Sequence, residues 1–65
     1  MNGELMLEKN KNGITRADVQ TVANSLTIGL TDEQLTQVWN EYDEVVGDYP
    51  NENWSFIVEE VIWDL

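Results

Sequence analysis

The apolar residues between positions 35 and 46 recur at intervals of three and four, which is the period of an α-helix. At about 100° per residue they fall in one arc of about 120°, and the opposite side of the helix is polar. Thr31 stands just before this segment and can cap it, while the acids that follow suit the positive end of the helix dipole. We therefore predict an amphipathic helix over residues 32–46. Its apolar arc consists of Leu35, Val38, Trp39, Tyr42, Val45 and Val46.

A second helical signal precedes this segment. Thr15 and Asp18 have the spacing of a capping arrangement, in which the hydroxyl accepts from a backbone N–H and the carboxylate suits the helix dipole. A helix is predicted over residues 16–26, and Gly29 is a candidate for a left-handed stop or a linker conformation. The apolar stripe of this helix consists of Val19, Val22, Ala23 and Leu26.

A third helical signal covers the last part of the sequence. Gly47 is the expected stop of the preceding helix, and Pro50 indicates a turn over residues 48–51 because it disfavours helix at Tyr49. A helix is then predicted over residues 53–64. One of its faces carries Trp54, Ile57, Val58, Val61, Ile62 and Leu65.

Three helices with short connections, and no stretch of strand-like alternation, predict an all-α fold. The 65 residues suffice for one small domain, which we expect to be a three-helix bundle or an orthogonal three-helix unit over residues 14–65. Residues 1–13 show no sustained period and are expected to form a flexible, loosely ordered N-terminal arm. The predicted core comprises Val19, Val22, Leu26, Leu35, Val38, Trp39, Tyr42, Trp54, Ile57, Val58, Val61 and Ile62.

The composition argues against several classes of function. The chain has 13 Asp and Glu against 3 Lys and Arg, no His and no Cys, and a formal net charge of -10. Because imidazole and thiol groups are missing, we expect no enzyme activity and no cofactor. Phosphate backbones and anionic lipids would repel the negative charge, and no apolar run has the length of a membrane span. We expect a cytoplasmic protein that binds neither nucleic acid nor membrane directly.

The segment from Asp48 to Glu59 has acids at the first and last positions of a possible calcium loop. Its third position is Pro50, which supplies no ligand, and Asn53 stands where the sharp turn needs Gly. We therefore predict an ordinary turn and no metal site.

Five acids lie toward the carboxyl ends of the second and third predicted helices, where the helix dipole disfavours negative charge. Each costs a few tenths to about 1 kcal/mol when exposed. They are interpreted either as solubility charge or as a surface that binds a protein partner with a basic surface. These acids are Asp43, Glu44, Glu59, Glu60 and Asp64.

Phe56 and Trp63 are seven residues apart and share the side of the third helix opposite its core face. Because one face suffices for a three-helix core, they are either buried by Met6, Leu7 or the first helix, or exposed between acids. Burial is the favoured prediction. Exposure would make them an aromatic anchor rimmed by acids, a common form of protein-binding hot spot.

The sequence resembles a recurring type of short, acidic, uncharacterised protein encoded on bacterial phages and other mobile elements. The resemblance covers about residues 14–65 and supplies no activity and no site residues. It implies a bacterial cytosolic setting, in which such proteins often occupy a surface of a host or defence protein. The segments that carry it are residues 14–19, 30–34, 42–44, 54 and 58–62.

Two hypotheses about function follow. The first is a small interaction protein whose acidic surface binds a basic surface, including a nucleic-acid-binding site that it occupies as a DNA mimic. The second is a structural or assembly accessory that associates through apolar helix surface at Phe56 and Trp63, as a homo-oligomer or a subunit. Salt should weaken the first kind of association steeply and leave the second unchanged.

Overall fold

The computed structural model of the chain describes residues 6–65, which fold into an all-α unit of three helices. Helix α1 spans Arg16–Ser25, α2 spans Asp32–Val45 and α3 spans Trp54–Trp63. A short 3-10 helix at Val46–Asp48 follows α2. The three predicted helices are confirmed to within one residue at each end. In the described part of the chain, the extended pairing is confined to an isolated bridge between Lys9 and Thr15.

Side-chain caps fix the start of each helix. The Thr15 hydroxyl accepts from the Asp18 N–H at 3.0 Å, and the Asp18 carboxylate accepts from the Thr15 N–H at 3.0 Å. Thr31 and Gln34 form the same reciprocal pair at the start of α2. Asn53 caps α3 by accepting from the Phe56 N–H at 3.0 Å. Each cap satisfies backbone donors that have no partner within the helix, so the starts of the helices follow from local sequence.

The core lies where each helix contacts the other two. All but two of the predicted core residues are buried. Leu26 is half-buried against the core, and Trp54 is 40% exposed, so its assignment to the core is wrong. Trp54 is the first residue of α3, where no preceding helical turn covers it. The buried apolar residues are Ile14, Val19, Val22, Ala23, Leu35, Val38, Trp39, Tyr42, Ile57, Val58, Val61 and Ile62.

The backbone after α1 distinguishes the two conformations expected of Gly29, a left-handed stop and a linker. Thr27, and not Gly29, adopts the left-handed conformation, with φ of 60°. The Thr27 N–H donates to the Asn24 carbonyl at 3.1 Å, and the Ile28 N–H donates to the Ala23 carbonyl at 2.9 Å. This pair of hydrogen bonds is a Schellman motif, which needs the left-handed residue two positions after the helix. Gly29 therefore lies in the linker.

The segment that precedes α1 is attached to α2. The Asn10 side-chain amide donates to the Trp39 carbonyl at 2.9 Å, and its oxygen accepts from the N–H groups of Asn12 and Ile14. Met6 packs against the core, whereas Leu7 is exposed. The arm predicted over residues 1–13 is thus held at residues 10–13, and its residues 1–5 lie outside the described residues. Within residues 6–65, no helix has both the length and the apolar character needed to cross a bilayer.

Candidate interaction surface

The charges are unevenly distributed along the chain. All three basic residues, Lys9, Lys11 and Arg16, lie before α1 or at its first residue. Residues 32–65 contain ten of the thirteen acids and no Lys or Arg. The segments that form α2, the 3-10 helix and α3 therefore contribute only negative side-chain charge.

The Arg16 guanidinium interacts with other residues of the same chain. Its guanidinium lies 3.9 Å from the centre of the Trp39 ring, and its Nε donates to the Thr36 hydroxyl at 2.9 Å. A guanidinium nitrogen lies 3.5 Å from the Glu8 carboxylate. Stacking, a hydrogen bond and an ion pair thus hold one guanidinium between the N-terminal segment and α2.

Asp43 has a structural role that the sequence did not indicate. Its carboxylate accepts from the backbone N–H of Lys11 at 3.1 Å and from the side-chain amide of Asn12. These contacts fasten the turn at residues 10–13 to the carboxyl half of α2. Asp43 is therefore separate from the four other acids near helix carboxyl ends, because two donors offset its unfavourable position in the helix dipole.

The outward side of α3 brings four of the predicted residues together. Phe56, Glu59, Glu60 and Trp63 stand at spacings of three and four on the side opposite the buried residues, and we call this set the α3 stripe. Phe56 is 37% exposed and Trp63 is 58% exposed, while both glutamates are half-buried. The favoured prediction that Phe56 and Trp63 are buried is wrong.

Two observations explain the exposure of these aromatic rings. The opposite side of α3 already fills the core, and the described part of the N-terminal segment hydrogen-bonds to α2. The Phe56 ring makes an edge-on contact with Tyr49, with centroids 5.8 Å apart and planes at 74°. Trp63 is thus the more exposed of the two aromatic side chains.

The remaining predicted acids lie outside the α3 stripe. Glu44 is exposed on the outward side of α2, in a row with three other exposed residues. Asp64 is exposed at the carboxyl cap of α3. We call the exposed α2 residues the α2 row; they are Glu33, Gln37, Asn40 and Glu44.

Sequence reasoning missed other exposed apolar residues. Trp54 and Leu65 were assigned to the core face of α3, yet both are exposed because they stand at or beyond the ends of the helix. Their positions relative to the helix ends are the signal that identifies them, since an end residue lacks one neighbouring turn.

The acids do not form a metal centre in the described residues. Glu59 belongs to the middle of α3, so the segment from Asp48 to Glu59 is a turn followed by helix. Across residues 6–65, no group of three or more acidic, His or Cys side chains is arranged to hold a metal ion.

The chain matches no protein-family model, curated protein or solved structure. The resemblance to short acidic proteins of mobile elements therefore stays a prediction.

Proposed function

We propose that this protein is a small interaction module whose acidic α2 and α3 surfaces bind a basic surface of a partner protein. The observation that carries the proposal is the presence of ten acids and no basic residue over residues 32–65. A surface of one sign steers a partner of opposite sign and raises the association rate.

A nucleic-acid-binding surface is the kind of basic surface that we propose as the target. Glu60 and Asp64 stand four residues apart, which corresponds to a rise of about 6 Å along a helix. Two steps along one DNA strand rise about 7 Å along the duplex axis, so the axial rise between these two carboxylates is similar to that over two nucleotides. In the bacterial cytosol, such a protein would act as a phage or mobile-element inhibitor that competes with nucleic acid for a host or defence protein.

The proposal assigns no catalysis to the protein. The sequence has no His and no Cys, so the usual groups for general base and nucleophilic chemistry near neutral pH are missing.

The test is recovery of partners from the source cell at low and high salt. The parent should retain a basic protein at low salt and release it at high salt, because screening weakens attraction between surface charges. A variant that neutralises four acids and leaves the structural Asp43 intact should lose that partner. Its substitutions are Glu44→Gln, Glu59→Gln, Glu60→Gln and Asp64→Asn.

A control variant tests whether binding depends on the position of the charge or only on the net charge of the protein. Four lysines on the outward side and end of α1 change the net charge by the same amount and leave α2 and α3 untouched. This control should retain the partner. Equal recovery by the parent and the neutralised variant at every salt concentration would contradict the proposal. The control substitutions are Gln20→Lys, Thr21→Lys, Asn24→Lys and Ser25→Lys.

The exposure of Phe56 and Trp63 favours a second candidate function, an assembly accessory that associates through apolar surface. Self-association would bring two chains of net charge -10 together, so salt should strengthen it or leave it unchanged. Light scattering across a salt series tests this alternative. A dimer that persists at high salt and dissociates in the Phe56→Ala/Trp63→Ala variant would support it, and a monomer at all salt concentrations would exclude a homo-oligomer.

A further inference from the structure

The α3 stripe combines aromatic and carboxylate groups on the side of α3 that faces away from the core. Trp63 stands one helical turn from both Glu59 and Glu60, and Phe56 stands one turn before them. The whole stripe spans about 10 Å along the helix. Within residues 6–65, no ion pair involves either glutamate. The stripe therefore offers exposed ring faces beside negative charge.

The chemistry of the stripe selects a basic, planar occupant. A guanidinium can stack on an indole face while its N–H groups donate to a carboxylate, and an ammonium cannot combine planar stacking with bidentate pairing. A purely apolar occupant would remove Glu59 and Glu60 from water without supplying a donor. A second copy of this chain would bring more negative charge to the stripe.

The molecule contains one occupied example of the same combination. Arg16 stacks on Trp39 at 3.9 Å from the ring centre and pairs with Glu8 at 3.5 Å. An aromatic face with a neighbouring carboxylate is thus the arrangement in which this protein holds its one guanidinium.

We infer that the α3 stripe receives arginine side chains from a basic segment of the partner protein. In this arrangement Trp63 stacks against a guanidinium, Glu59 and Glu60 accept its hydrogen bonds, and Phe56 contacts an apolar side chain next to the arginine. The inference rests on the proposed function, and it specifies the binding face and the partner residue.

The experiment uses the full chain and two synthetic helical peptides as probes. One peptide carries arginines one turn apart between leucines, and the other has lysine at the same positions. Indole N–H signals in NMR spectra report each tryptophan, and Trp39 serves as an internal reference because its indole donates to the Ile14 carbonyl. The arginine peptide should shift the Trp63 signal and leave the Trp39 signal in place.

Three variants define the expected losses. Trp63→Ala should weaken binding of the arginine peptide about five- to tenfold, because stacking on an indole is lost. Glu59→Gln/Glu60→Gln should weaken it by a similar factor and reduce the salt dependence. The matched control Thr21→Lys/Asn24→Lys changes the net charge by the same two units at exposed positions of α1, outside the proposed binding surface, and should change affinity less than twofold, about the effect of long-range charge alone. The lysine peptide should bind the parent about threefold more weakly than the arginine peptide.

The outcomes separate this inference from the proposed function. Peptide binding that is unchanged in Trp63→Ala, or that falls as much in the α1 control as in Glu59→Gln/Glu60→Gln, would overturn the inference and leave the proposed function standing. Absence of peptide binding by a protein that still recovers a basic partner would overturn it as well. Thermal melts of each variant would verify folding, which we expect because Trp63, Glu59 and Glu60 are outside the core.

Discussion

The indole N–H of Trp39 donates to the backbone carbonyl of Ile14 at 2.7 Å. This hydrogen bond connects the middle of α2 to the residue that precedes the cap of α1, and both residues belong to the core. Because Arg16 stacks on the same ring, one side chain joins the N-terminal segment, α1 and α2.

Two replacements of Trp39 should distinguish the contribution of its hydrogen bond to stability from that of its buried ring. Trp39→Phe keeps an aromatic ring but leaves the Ile14 carbonyl without its donor, so we expect a loss of about 1–3 kcal/mol in the free energy of unfolding. Trp39→Ala also creates a cavity and should cost about 3–5 kcal/mol, which would largely unfold a domain of this size. Urea denaturation measures both. A Trp39→Ala protein that melts within a few degrees of the parent would contradict this assignment.

The left-handed backbone at Thr27 should be a source of strain. A non-glycine residue in the left-handed conformation costs about 1–2 kcal/mol, and a glycine at this position removes that cost. The greater freedom of glycine in the unfolded chain opposes this gain by about 0.5–1 kcal/mol. Thr27→Gly should therefore stabilise the fold by up to about 1.5 kcal/mol. Gly29→Ala is the matched control; its Cβ would meet no atom within 4 Å, so it should be neutral or slightly stabilising. Destabilisation by Thr27→Gly in chemical denaturation would disprove the strain.

Removal of the adjacent acids Asp43 and Glu44 should have different effects on the stability of the protein. Asp43→Ala should destabilise the protein by about 1–2 kcal/mol, because the Lys11 N–H and the Asn12 amide lose their acceptor. Glu44→Ala should stay within about 0.5 kcal/mol of the parent, because Glu44 is exposed. Hydrogen exchange at the Lys11 amide provides a local measurement. Equal stability of the two variants would show that Asp43 does not hold the turn.

Much of the fold followed from local sequence because the caps and the helical period involve residues three or four apart. Thr15 and Thr31 marked the helix starts, and the arc from Leu35 to Tyr42 marked the core side of α2. Trp54 departed from the prediction because burial at a helix end depends on neighbouring elements.

The candidate site was only partly predictable for the same reason. The spacing of Phe56 and Trp63 placed them on one side of α3, but their exposure depends on where the N-terminal segment lies. The attachment of that segment through Asn10 and Asp43 joins residues about thirty positions apart, and no local pattern indicates it.

Stability should fall at alkaline pH through Tyr42. Burial, and to a lesser extent the Asp43 carboxylate, raise the pKa of the Tyr42 hydroxyl above its usual value of 10.0. The folded state thus holds this proton more tightly than the unfolded chain, so the contribution is complete below pH 10 and is lost as pH rises through the folded pKa. Tyr42→Phe should reduce the alkaline decline in unfolding free energy, whereas Tyr49→Phe should retain it. An unchanged decline in Tyr42→Phe would rule out this source.

The association rate with the recovered basic partner, measured across a salt series, tests the central claim most directly. For the parent, the rate constant should fall steeply as salt rises, because the negative surface of α2 and α3 steers the encounter. The variant neutralised at Glu44, Glu59, Glu60 and Asp64 should associate more slowly at low salt and show a shallower dependence. Identical rate constants for parent and variant at every salt concentration would contradict a binding role for the acidic surface.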